Sequence, residues 1–179
     1  MARIDGTNRA DTLEGGAQGD VIYGNGGDDV LWGKGGKDQL YGGTGDDVLH
    51  GGDGADRLQG GPGNDTYIGG DGADRFVFTD VPASGSTLET VTVYQIGDIL
   101  DFSDIDANWN RDGNQAFRWL GQGDFTGRPG EMIIRHYGEG MSAYTEIFVD
   151  VDGNGLGDMA VKLNNGWFDF NPGNGDLIL

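Results

Sequence analysis

Eight aspartates stand nine residues apart through the first half of the chain: Asp11, Asp20, Asp29, Asp38, Asp47, Asp56, Asp65 and Asp74. A carboxylate returned at fixed spacing offers the same oxygen ligand repeatedly, and hard divalent cations such as calcium take oxygen ligands. The overall charge points the same way. Thirty Asp and Glu outweigh eleven Lys and Arg for a formal charge of −19, which argues against a nucleic-acid partner and for a multivalent cation. There is no Cys, so disulfides, thiolate zinc sites and a Cys nucleophile are excluded.

Elements must hold those carboxylates in line. Two positions after each Asp comes a large apolar residue: Leu13, Ile22, Leu31, Leu40, Leu49, Leu58, Tyr67 and Phe76. Glycine-dense turns such as GNGGDD, GGTGDD and GGDGAD separate them, drawn from 37 glycines in 179 residues. A register of nine that never slips between residues 6 and 77 marks a stacked-coil architecture, not a flexible linker. The glycines fit, because tight turns need positive φ and carbonyls that can approach an ion closely.

These units resemble the RTX family, whose nonapeptide reads G-G-x-G-x-D-x-U-x with U a large apolar residue. The resemblance implies an all-β chain: a right-handed parallel β-roll in which six residues form a calcium-binding turn, three form a strand, and two nonapeptides complete one coil. It implies that each Asp lies beside the Asp two units on, about one strand spacing (~4.8 Å) away. Calcium is then held between turns by Asp oxygens and backbone carbonyls. The implied ligands are the eight Asp with Gly24, Gly26, Gly33, Gly35, Gly42, Thr44, Gly51, Asp53, Gly60 and Gly69. Six pairings, from Asp11–Asp29 to Asp56–Asp74, allow up to six ions. The first unit, GTNRADTLE, keeps one glycine and the second carries Gln18 where Gly is usual, so the first sites depart from the pattern.

One inward side chain per nine residues is a thin core, and carboxylates ~4.8 Å apart repel by about 1 kcal/mol per pair even in water. The roll is therefore expected to stay disordered without a cation and to fold through binding linkage when calcium is present. Odd units face one side and even units the other. The odd face centres on Val30, Trp32 and Val48, which reads either as a partner surface or as ordinary strand propensity. Tyr23 and Tyr41, one coil apart on the even face, could stack on sugar rings.

After Phe78 the period stops, giving a roll over 1–78 and a mostly antiparallel β cap over 79–179 that closes the open end. Short alternating segments between turn residues predict strands at 91–96, 98–102, 116–121, 131–137, 145–151 and 158–163. This half resembles the C-terminal domain of serralysin-type secreted metalloproteases and related RTX exoproteins. The matching stretches are DILDFSDIDAN (98–108), NQAFRWLG (114–121), FTGRPGE (125–131), DVDGNGLGDMAVKL (150–163) and GDLIL (175–179). TLETVTVYQIG, before Asp98, departs from that pattern. In DVDGNGLGD, Asp150, Asp152, Asn154 and Asp158 take positions 1, 3, 5 and 9 of an EF-hand-like loop; Val161 stands where the bidentate Glu belongs. A weak calcium loop and a plain acidic turn both fit. The tail GDLIL reads as a type I secretion signal, as a docked last strand, or as both.

No H-E-x-x-H, G-x-S-x-G, P-loop or dinucleotide fingerprint occurs, and the two histidines, His50 and His136, lie far apart. The chain is therefore read as non-catalytic. Nothing in it spans a membrane as a long apolar helix, and its start lacks the apolar core of a signal peptide. The leading expectation is a calcium-triggered folding and secretion module of a larger bacterial exoprotein, secreted by a type I exporter and attached to an N-terminal catalytic domain. The alternatives are a module for anionic polysaccharide, like the repeat modules of alginate epimerases, or the tail of a serralysin-type protease. Arg118, Arg128, Arg135 and His136 on the cap, with Arg57 and Arg75 on the even face, are the candidate polysaccharide contacts.

Overall fold

A computed structural model describes residues 1–79, 87–105, 116–164, 166, 168 and 175–179. The described residues form sixteen strands and one short 3-10 turn, Gly140–Ser142. The repeats supply β1 (Arg3–Asp5), β2 (Thr12–Glu14), β3 (Val21–Gly26), β4 (Val30–Gly35), β5 (Gln39–Thr44), β6 (Val48–Asp53), β7 (Arg57–Gln59), β8 (Thr66–Asp71) and β9 (Arg75–Val77). Beyond them come β10 (Thr87–Thr92), β11 (Ile99–Asp101), β12 (Arg118–Gln122), β13 (Glu131–Tyr137), β14 (Tyr144–Asp150), β15 (Met159–Leu163) and β16 (Leu177–Ile178).

Alternate units build opposite sheets. One runs β1-β3-β5-β7-β9-β11-β16 and the other β12-β13-β14-β15-β10-β8-β6-β4-β2. Within the repeats each strand lies parallel to the strand two units on, as in the pairs Leu31–Leu49 and Leu40–Leu58. The apolar residue of each unit from Ile22 to Phe76 turns inward and is fully buried between the sheets. Its neighbours alternate outward and are only half covered.

The coil extends beyond the nine-residue period at both ends. At the start, β1 pairs with β3 and sets Ile4 in the inward column, with Ala2 where an Asp would stand. Neither the motif Asp nor a turn glycine marks that unit, so the count of eight from sequence misses it. At the other end, β10 stacks on β8 and β11 on β9 with an offset of 24 instead of 18. Six inserted residues break the sequence period without breaking the stack. The strand expected at 91–96 accordingly lies at Thr87–Thr92, where Glu89 falls opposite Asp65.

The cap carries the expected antiparallel ribbon β13–β14–β15 and adds parallel pairs to it. Among the described residues antiparallel pairing is confined to β13–β14 and β14–β15, while β12–β13, β10–β15 and β11–β16 are parallel. The reason is that β10 and β11 still belong to the roll's parallel stack, so β15 and β16 dock on it in the same sense. The apolar interior is one cluster, running from Ile22 through Phe76, Phe78 and Leu100 to Met132, Ile147 and Val161. Residues 106–108 and 114–115 of the serralysin-like stretches lie outside the described residues.

Candidate metal centre

Each repeat Asp splits its carboxylate between two tasks. Oδ1 accepts the backbone N–H of the Asp eighteen residues earlier: Asp11 to Asp29 at 2.8 Å, Asp20 to Asp38 at 2.6 Å, Asp29 to Asp47 at 2.7 Å, and Asp38 to Asp56 at 2.8 Å. Asp47 to Asp65 at 2.8 Å and Asp56 to Asp74 at 2.9 Å continue the ladder. These bonds align the acids in two columns. The second oxygen, Oδ2, is buried and without a hydrogen-bond partner in Asp29, Asp38, Asp47, Asp56, Asp65 and Asp74. Buried polar atoms are rarely left so. Six in one register require a common cause.

The first glycine of each turn shows what faces them. A methyl group on Gly24 would lie 2.3 Å from Asp29 Oδ2 and 2.4 Å from the Gly42 carbonyl. On Gly33 it would lie 2.4 Å from Asp38 Oδ2 and 2.5 Å from Gly51 O. On Gly42 the distances are 2.2 Å to Asp47 Oδ2 and 2.8 Å to Gly60 O; on Gly51 they are 2.5 Å to both Asp56 Oδ2 and Gly69 O. At Gly60 and Gly69 the carboxylate oxygens of Asp65 and Asp74 are 2.0 and 2.2 Å away. Each hollow is thus lined by anionic oxygen, joined at four of the turns by a carbonyl oxygen. Carboxylate and carbonyl oxygens are the ligands that calcium takes. The donor set suits a hard divalent cation.

The structure places Gly24, Gly33, Gly42, Gly51, Gly60 and Gly69 beside Asp29, Asp38, Asp47, Asp56, Asp65 and Asp74 in that order, and Asp11 and Asp20 beside Gly6 and Gly15. Gly26 pairs with Thr44 and Gly35 with Asp53 across adjacent strands. The carbonyls of Thr44 and Asp53 accept the N–H groups of Gly27 and Gly36 at 2.8 Å, and their side chains are exposed.

Burial raises the acids. It lifts Asp29 and Asp38 above the usual carboxylate range, Asp47, Asp56 and Asp74 to about 6, and Asp65 to about 7, and neighbouring carboxylates add to the effect. Among the described residues no Lys or Arg pairs with these six. Asp11 and Asp20 behave oppositely. Thr7 donates its hydroxyl and N–H to Asp11 Oδ2 at 2.7 and 2.6 Å; Ala2 and Gly16 donate their N–H groups to Asp20 at 2.5 and 2.8 Å. These bonds hold both carboxyls below the usual range.

Two further acids extend the ladder, and the repeat pattern does not reveal them. Asp65 N–H donates to Glu89 Oε2 at 3.1 Å and Asp74 N–H to Asp98 Oδ1 at 2.9 Å. Glu89 is buried, hydrogen-bonded to the Tyr67 hydroxyl, and raised to about 9, first by burial and then by Asp65. Only the two-residue spacing from Glu89 to inward Val91 could have given it away.

The loop at 150–158 is different in kind. Oxygens of Asp150, Asp152 and Asp158 come within 4.8 Å of one another. Yet Asp150 accepts N–H groups from Gly153 and Gly155 at 2.7 and 2.9 Å, and Asp158 accepts from Val151 at 2.8 Å. Asp152 takes the Asn154 N–H and side-chain amide, and Asn154 takes the Leu156 N–H. This turn supplies its own donors.

On the even face Tyr23 and Tyr41 stack at 4.8 Å, with Arg3 over Tyr23 at 4.6 Å and Arg57 over Tyr41 at 5.4 Å. On the odd face Trp32 stacks on His50 at 3.6 Å, and on the cap His136 Nδ1 contacts Thr145 Oγ1 at 3.1 Å. Arg75 is tied to Asp101, Arg118 to Glu131 and Arg135 to Asp124. No helix among the described residues is long and apolar enough to cross a membrane.

A family model described as RTX calcium-binding nonapeptide repeat (4 copies) matches residues 5–40 and 41–76. No curated protein sequence matches the chain significantly. Among solved structures, the solution structure of the AlgE6R3 subunit from the Azotobacter vinelandii mannuronan C5-epimerase aligns at 23% identity and a TM-score of 0.47. It covers 89% of this chain and 72% of that one.

Proposed function

We propose that this chain, whose residues 5–40 and 41–76 match the RTX calcium-binding nonapeptide-repeat model, is a calcium-dependent folding module of a secreted protein. The observation that carries the reading is the row of six buried, unpartnered Asp oxygens. Asp29, Asp38, Asp47, Asp56, Asp65 and Asp74, with the carbonyls of the first turn glycines, would hold the ions. Bound calcium would supply positive charge and take up the oxygen lone pairs where, among the described residues, neither cationic side chains nor hydrogen-bond donors reach. At low free calcium, as in a bacterial cytosol, the roll would stay open and suited to passage through a type I exporter. In abundant calcium it would wind up and support the folding of an attached catalytic domain. Its own role is non-catalytic, and the GDLIL tail serves the exporter. Circular dichroism with and without excess chelator tests this. The β signal should collapse on chelation and return with calcium, and a signal indifferent to chelator would refute the reading.

The ladder Arg3–Tyr23–Tyr41–Arg57 favours a second role, in binding an anionic polysaccharide. Each ring face there is covered by the other ring or by a guanidinium, and Arg3 is held by Asp5, so the Arg57 guanidinium, seated on Tyr41, would carry the contact to a sugar carboxylate. Calorimetry of the calcium-loaded chain against alginate should show saturable heat that is lost in Tyr41→Ala. No heat at high ligand concentration excludes it.

A further inference from the structure

Turns of the roll close in two ways. In the turns of Asp11, Asp20 and Asp98, an N–H of the same turn donates to Oδ2: Thr7 at 2.6 Å, Gly16 at 2.8 Å and Gln95 at 2.7 Å. In the six turns from Asp29 to Asp74 no donor reaches that oxygen. Two backbone positions separate the classes: the one four before the Asp has positive φ in every open turn, from Asn25 and Lys34 to Gly70, and in no closed one, at Thr7, Gly16 and Tyr94, while the one two before the Asp separates them by residue type as well.

In the open turns it is Gly27, Gly36, Gly45, Gly54, Gly63 or Gly72, at φ of 97°, 105°, 124°, 141°, 152° and 142°. In the closed turns it is Arg9, Gln18 or Ile96, none of which has positive φ. Angles of that size are open essentially to glycine alone. Space enforces the same choice. A methyl on Gly45 would come within 2.4 Å of Gly27 O, one on Gly54 within 1.8 Å of Gly36 O, and one on Gly72 within 1.6 Å of Gly54 O. Open turns therefore stack bare backbone on bare backbone.

The closed turns of Asp11 and Asp20 keep the first turn glycine, Gly6 and Gly15, whereas Val93 takes that place before Asp98. A methyl on Gly15 would lie 2.7 Å from Gly33 O and 3.0 Å from Asp20 Oδ2, much as at Gly33. What differs is that the Gly16 N–H already occupies the carboxylate.

We propose that the residue two before each Asp decides whether a turn takes a cation. On this view the ion row runs from Asp29 to Asp74, and the turns of Asp11, Asp20 and Asp98 are ion-free caps closed by their own backbone. The proposal rests on the calcium reading above and adds to it where the row starts, where it stops and why. It also shifts the expected sites: Asp11 and Asp20 hold the chain's end instead of an ion.

Gln18 is the place to test it. Its side chain is exposed and meets only the terminal ammonium at 3.2 Å, so changing it leaves the core intact. Bound calcium is counted on the full chain by native mass spectrometry at saturating metal, for wild type, Gln18→Ala and Gln18→Gly. Gln18→Ala should carry the wild-type number, because Ala cannot adopt the open turn. Gln18→Gly should carry one more. A Gln18→Gly count equal to wild type overturns the proposal, as does a gain in Gln18→Ala. A wild type that binds no calcium removes the calcium reading and this proposal together, and the wild-type measurement alone distinguishes that outcome.

Discussion

Lys34 stands where later coils place glycine. The second turn position is left-handed in each of the six open turns: φ is 78° at Asn25, 77° at Lys34, and between 106° and 115° at Gly43, Gly52, Gly61 and Gly70. Asn enters that region readily because its side chain can bond locally; Lys cannot, and a non-glycine residue held there costs about 1–3 kcal/mol. What Lys34 offers in return is an ion pair with Glu14 at 2.7 Å, between two side chains that are each at least half exposed. Such pairs are worth about 0–1 kcal/mol. Strain therefore outweighs charge. Lys34→Gly should raise the stability of the calcium-loaded chain by roughly 1 kcal/mol, an upward shift of about 2–4 °C in Tm for a chain of this size. Thermal melts in saturating calcium read it directly, and an unchanged or lower Tm would show that the ion pair matters more than the backbone.

At the level of strands, the roll was legible because its signal repeats. Asp, glycine turn and inward apolar residue return in phase eight times, and the structure follows them from Leu13 to Phe76 in alternating sheets. The ends were harder to read for a physical reason. Once the stack exists, backbone hydrogen bonding extends it without the motif: β1 joins by pairing alone, with Ala2 donating to Asp20. β10 and β11 join through Glu89 and Asp98, which reproduce the Asp ladder at a new spacing. A longer side chain can fill the same role because Tyr67, the one tyrosine among the inward residues, offers a hydroxyl that hydrogen-bonds it. In the cap, Glu131–Tyr137 matches its expected bounds because its turns are unambiguous. The parallel docking of β15 and β16 depends on contacts far apart in sequence, which local alternation does not carry. The metal site divides likewise. The carboxylates were visible as a period, while the distinction between open and closed turns lay in two backbone dihedrals per unit.

Across the whole molecule, the same acids tie folding to both calcium and protons, with opposite signs. Asp47, Asp56 and Asp74 are raised to about 6 and Asp65 to about 7 by burial. An unfolded Asp titrates near about 4. A carboxyl whose folded value is the higher binds its proton more tightly in the folded chain. Its stabilisation is complete below about pH 4 and is lost as pH rises through about 6 to 7. Protons then do part of what calcium does, since they also relieve the repulsion within a chain of charge −19. Calcium reverses the dependence, because its carboxylate ligands must be deprotonated. In excess chelator, lowering the pH from about 8 to about 5 should therefore increase β structure. In saturating calcium the same titration should weaken it as protons compete for the ligand oxygens. Two far-ultraviolet dichroism titrations, run side by side, should have slopes of opposite sign. If the chelated chain instead loses order on acidification, as the loaded one does, the buried carboxylates do not govern the fold.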